Sequence, residues 1–134
     1  MAQGLLIGLK KKLALAAAVA ILVAAGMVTL VEYRREETHA ARRAEAEAFA
    51  RTMEGRFRGE GLTTVEQHLR GSGVQYRLGG RSHTDRVRDV WVELAHEPSL
   101  HWFCSTATFG ATLEFDDHER LVEAIAGSWE QGCL

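Results

Sequence analysis

The chain has 134 residues and a formal net charge of −2, but its charges are unevenly placed, with every lysine at positions 10–12 and every Asp and Glu after Val31. Past Val31, thirteen arginines stand against eighteen carboxylates. That acidic, mixed surface suits a soluble domain and argues against nucleic acid as a partner, because no basic stripe is present. Residues 32–134 suffice for one domain with a small core.

Residues 1–12 form a basic head ending in Lys10, Lys11 and Lys12, and Leu13 to Val31 follows without a charge, Pro, Asn or Gln. As a helix this stretch reaches roughly 28 Å, close to the hydrocarbon thickness of a bilayer. It is longer than the apolar part of a secretory signal, so an uncleaved anchor is favoured over a removed one, although Ala24 and Ala25 are small enough for a cleavage site. Arg34, Arg35, Arg42 and Arg43 after the segment balance the lysines before it, so basic flanks alone do not orient it. The export-like head and the placement of both cysteines, Cys104 and Cys133, in the folded part do. The expected topology is a single pass through the inner (cytoplasmic) membrane, with a cytoplasmic N-terminus and an extracytoplasmic or periplasmic C-terminal domain.

Residues 32–55 lack Pro and are rich in Ala, Glu and Arg, which predicts that the membrane helix runs on as a stalk. Glu47 and Arg51 are spaced for an i,i+4 pair. Mostly Ala occupies the heptad positions, with Phe49 and Met53 the one bulky apolar pair, so a solvated spacer docking by its last turn is favoured over a coiled coil. Gly55, Gly59 and Gly61 break the helix and place the start of the compact domain, residues 56–134, near Arg56. A second short helix is predicted from Thr63 and Glu66 at capping-box spacing, Val65 and Leu69 one turn apart, and Gly71 and Gly73 as the stop. His68 has no residue at metal-ligand spacing and reads as a surface histidine.

From Val74 the apolar period becomes two. Val74, Tyr76 and Leu78 alternate with polar residues, a Gly79-Gly80 turn follows, and 86–94 alternates again. After a loop at Glu97-Pro98-Ser99, the run 100–115 aligns Phe103, Ala107, Phe109, Ala111, Leu113 and Phe115 on one face, with Gly110 a bulge candidate. The acidic turn 116–119 predicts a hairpin, so 121–129 is read as a strand rather than a helix, offering Leu121, Ile125 and Trp129 to the core. The expected fold class is α+β: a transmembrane helix continuing into a stalk, then a short helix packed on a three- to four-stranded antiparallel sheet.

Gly61-Leu62-Thr63-Thr64 leading to Val65, Leu69 and Gly71, and Leu113 to Ala124 ending the sheet, resemble the small envelope proteins of the SmpA/BamE type. In that family a G-M-T start opens a helix ending in L-G, and a strand closes with F-D-x-x-G-x-V. The resemblance covers residues 56–131. It departs in lacking a Pro after Leu69-Arg70-Gly71, in lacking a Gly in the final turn, and in using a helix where the family uses lipid on a Cys. It implies a non-catalytic scaffold serving an envelope assembly through a protein partner.

Candidate partner-binding residues are Trp91, set among charges on the face of 86–94 opposite Val90, Val92 and Leu94, together with Tyr76, Arg86 and Arg88. For Trp91 the alternative is a covered residue, and for the arginines a position past the core edge. His96, His101 and Cys104 follow no strong metal spacing, and Ser105 has no nucleophile elbow. No catalytic residue, metal or other cofactor is expected, and a small-molecule ligand is disfavoured. A pilin-like structural subunit is the alternative architecture. Against it, no glutamate follows a Gly at the start of the apolar run, and the lysines precede that run. Finally, Cys104 and Cys133 are expected to form a disulfide, since so small an exported core needs a staple. If Phe115 faces Leu121, Cys104 falls opposite Gly132 and Cys133 opposite Phe103, one residue out of register. A one-residue bulge, with Gly110, Gly127 and Gly132 as candidates, would align them.

Overall fold

The computed structural model describes the backbone of residues 2–81 and 87–134, and the side chains of 12–80 and 88–134. In chain order the elements are helix α1 (Ala2–Phe57), helix α2 (Leu62–Ser72), and strands β1 (Gln75–Arg81), β2 (Val87–Pro98), β3 (Thr106–Phe115) and β4 (Leu121–Gln131). The strands form one antiparallel sheet in the order β1-β2-β3-β4, the meander expected of consecutive hairpins. Two compact units result, Met1–Glu37 and Thr38–Leu134.

The first unit is helical and long and apolar enough to cross a membrane. Its large apolar side chains from Leu13 to Val31 are between 49% and 72% exposed. Water penalises an apolar surface of that extent, and lipid does not.

The second unit begins inside α1, and here the spacer expectation fails. His39, Ala46, Ala50, Met53 and Phe57 are all buried, one stripe at helical spacing that lies on the sheet over nearly five turns. Ala46 and Ala50 are buried along this stripe, with an open pocket left between Ala46 and Ala126, while the bulky Met53 and Phe57 join the core cluster. Arg42 reaches across to Glu97 at 2.7 Å, and the Glu47–Arg51 pair forms at 3.6 Å on the outside.

Helix α2 adds Leu62, Val65 and Leu69 to the same core. Its cap is Gly61, with no side-chain cap bond, so the expected Thr63–Glu66 capping box is absent. The backbone itself holds this end, since the Leu62 amide donates to the Glu119 carbonyl and Gly61 bridges Arg120. Gly73 ends the helix in the left-handed conformation, which glycine adopts without penalty.

The sheet departs from the sequence reading at defined places. Gly79 and Gly80 do not turn the chain but lie within β1, Gly79 paired with Asp89, whose carboxylate crowds the sites where both Cβ atoms would stand. Strand β2 continues through the expected loop as far as Pro98, and the loop is 99–105. Phe103 therefore lies in that loop and is exposed instead of joining the core. Residues 121–131 form a strand, as the acidic turn predicts, and Phe115 pairs with Leu121.

Two extra residues disturb the ladders. Leu94 is unpaired between Glu93↔Gly110 and Ala95↔Phe109, and Val122 between Phe115↔Leu121 and Glu114↔Glu123. The bulge near Gly110 is thus on the opposing strand. Gly110 stays in register and pairs with Gly127, and the carbonyl oxygen of Val92 lies 1.8 Å from where its Cβ would stand. The Val122 bulge shifts β4 by the one residue that aligns Cys104 with Cys133, and these two are disulfide-bonded.

Gly110→Ala is expected to destabilise the domain by about 2 kcal/mol or more, because the clash is with backbone. Gly127→Ala, whose Cβ would meet nothing within 4 Å, is expected to cost less than about 1 kcal/mol; thermal melts of both variants test the pair. Unreduced protein should weigh two hydrogens less than its thiol form. Cys133→Ser, which releases a bridge across a sequence separation of 29, should lower Tm by several degrees, given about 3 kcal/mol of loop entropy.

Candidate interaction surface

Alternation along the strands assigns each residue to a face. Val90, Val92, Ala107, Phe109, Ala111, Leu113, Phe115 and Leu121 face the helices and are buried. The other face is covered by no described element and carries Arg77, Asp89, Trp91, Glu93, His96, Thr108, Thr112, Ile125 and Trp129. A helix-free sheet face ordinarily reads as polar. This one instead has an apolar centre.

That centre is built around Gly110 and Gly127. Neither carries a side chain, and they are paired neighbours, so the indole of Trp129 lies across Gly110, with Cη2 3.2 Å from the site of a Cβ. Trp91 lies beside it, with ring centroids 6.4 Å apart and planes tilted by 48°. Ile125, opposite Thr112 on the next rung, completes the group. Trp91 and Ile125 are each 44% exposed, whereas Thr108, paired with Trp129, is fully covered.

Polar groups fix the rim. Trp91 Nε1 donates to Asp89 Oδ2 at 2.6 Å, which sets the indole's orientation. Arg77 is ion-paired with Glu93, and His96 Nε2 lies 3.6 Å from the same carboxylate while its Nδ1 bonds Thr108 at 3.0 Å. The result is an aromatic and aliphatic patch bordered by the Arg77–Glu93 pair and by Asp89, whose Oδ1 is buried without a hydrogen-bond partner, an apolar centre with a polar rim.

The expected partner-binding residues do not come together. Trp91 is at the patch. Tyr76 faces the helices, packs against the core and is bound by its hydroxyl to Arg70 at 2.8 Å and to Glu66 at 3.2 Å, so it ties β1 to α2 and is withdrawn as a partner anchor. Arg88 is exposed on the alternation opposite to Trp91, and Arg86 lies outside the described residues. Trp129 and Ile125 were assigned to the core and belong to this face instead, because the Val122 bulge inverts the alternation of β4. The sequence does carry a signal for Trp129, in two glycines that face each other only when that bulge is allowed.

Elsewhere the polar residues have structural partners. His39 is buried, its Nε2–H donating to the Pro98 carbonyl at 2.8 Å, with its ring edge-on to Phe109. His68 packs on Phe57, and His101 faces Glu130 at 3.3 Å. Ser99 and His101 hold the Glu130 carboxyl below the usual carboxylate range, Ser99 most strongly. The Ser105 hydroxyl donates to the Gln131 carbonyl, and Cys104 is in the disulfide. Among the described residues no three His, Cys, Asp or Glu side chains gather as a metal site. An open groove between α1 and α2, lined by Arg56, Phe57, Gln67 and His68, has no convergent polar set. No family model, curated protein or solved structure matches the chain.

Proposed function

We propose that this is a non-catalytic, single-pass protein of a bacterial inner membrane whose small extracytoplasmic domain serves as an accessory or scaffold subunit of an envelope complex. The observation that carries the reading is the uncovered sheet face with Trp91, Ile125 and Trp129 at its centre. Burying two indoles and an isoleucine beneath a partner removes apolar surface from water, and the Arg77–Glu93 pair limits the desolvation cost at that part of the rim. The resemblance to SmpA/BamE-type proteins over residues 56–131 points to the same class of role. Orientation follows the basic head and the disulfide, since a stable disulfide belongs to an oxidising compartment.

A second reading has one observation in its favour. The C-terminal half of α1 lies along an antiparallel meander that a disulfide closes near its end, an architecture also used by pilin-like structural subunits. The two readings separate on the mass of the mature chain, because a pilin loses residues before its apolar segment and an anchored scaffold keeps Lys10 to Lys12.

Crosslinking of the full chain in native membranes, followed by pull-down, should capture a protein partner. Trp91→Ala should leave Tm nearly unchanged and weaken that association by about 2 kcal/mol or more. A collapse of the fold in this variant would instead make Trp91 a structural residue. A reporter that fluoresces only in the cytoplasm, fused after Leu134, should remain dark, and bright cells would reverse the topology.

A further inference from the structure

The loop 99–105 between β2 and β3 displays Leu100, Trp102 and Phe103, all exposed, with Trp102 at 91%. Its apolar side chains are presented by a rigid frame. The Ser99 amide donates to the Ser105 carbonyl, Cys104 to His101, and Leu134 to Phe103; Cys104 is bonded to Cys133; and the Trp102 and Phe103 rings meet edge to face at 5.9 Å. No described residue covers the Trp102 ring, and such a ring in water forfeits the burial that aromatic side chains ordinarily supply.

The position of this loop in the domain identifies what it meets. Pro98, immediately before it, is bound by His39, the second residue of the compact unit Thr38–Leu134. The loop is therefore at the end of the domain where the chain enters from Leu13–Val31. Seven steps of chain connect Val31 to Thr38, about 10 Å if helical and at most about 25 Å if extended. The opposite end of the domain, where Leu121 and Gly59 meet, carries Asp116, Asp117, His118, Glu119 and Arg120. The tethered end thus displays apolar and aromatic side chains beside the Arg42–Glu97 and His101–Glu130 pairs, and the far end carries charged and polar ones.

We infer that Leu100, Trp102 and Phe103 form a membrane-contact site that inserts into the headgroup region of the bilayer crossed by the chain's own anchor. Trp and Phe suit that depth, because an indole combines a large apolar body with one N–H that finds a partner among headgroups and water. The frame around the loop removes the cost of ordering it on contact. The inference rests on the reading of Leu13–Val31 as a membrane span.

The full chain, reconstituted into phosphatidylcholine vesicles in which a fraction of the lipid carries bromine at shallow or deep acyl positions, tests it by tryptophan quenching against Trp102→Phe. The wild type should show an emission component quenched most by shallow bromines, and Trp102→Phe should lose that component while Tm is unchanged. Trp91→Phe with Trp129→Phe, leaving Trp102 alone, should retain it with blue-shifted emission. Resistance of the protein to alkaline extraction reads the anchor separately. If the chain resists extraction but Trp102 is not quenched, this inference falls and the anchor stands; if the chain is extracted, both fall. A blue shift without bromine quenching would assign the loop to a protein contact and also overturn the inference.

Discussion

A four-stranded sheet has two faces, and this domain has helix enough for one. The second half of α1 and the short α2 together cover the face bearing Val90, Val92, Phe109 and Leu113. Most other features follow from that shortage. The core is a single layer between helix and sheet, and the edge-on packing of His39 on Phe109 anchors α1 at its entry to the domain. With so little apolar volume available, the C-terminal strand gains its last fixed point from a disulfide and not from packing. The open face, meanwhile, has to be stable in water while carrying indoles. It manages this in part by placing the Trp129 indole over Gly110, where the missing side chain leaves room for it and the residue is half-buried.

The fold was largely legible where one period dominates. The uncharged run to Val31, the Val65–Leu69 pair, and the alternations around Val90 and Leu113 each have one face and one period, and each formed the expected element. The strand at 121–131 is legible from its turn and from Gly127, against an Ala and Glu content that favours a helix. The stalk was misread for a physical reason: alanine at heptad positions is a poor knob for another helix but a good fit to a flat sheet, and sequence alone does not say which surface waits opposite.

The candidate surface was half legible. Trp91 was found because β2 is regular between Val87 and Glu93, so alternation places it correctly. Trp129 was assigned to the wrong side of the sheet because parity is carried along a strand from its first residue, and a single extra residue at Val122 inverts everything beyond it. Tyr76 erred in the other direction: its alternation was read correctly, but its hydroxyl has an internal purpose, closing Arg70 and Glu66 over the helix–strand junction, that no local pattern reveals.

The bulge at Val122 also makes oxidation a reader of strand phase. In a hairpin zipped without it, Ile125 and Trp129 turn toward the helices, Ala124 and Ala126 turn outward, and the two sulfurs lie a residue apart on opposite faces where they cannot bond. In the folded chain the phase that displays Trp129 beside Trp91 is also the one that brings Cys104 and Cys133 together. Closing the bridge therefore fixes which side of the strand faces outward, and a hairpin in the other phase keeps two unpaired thiols.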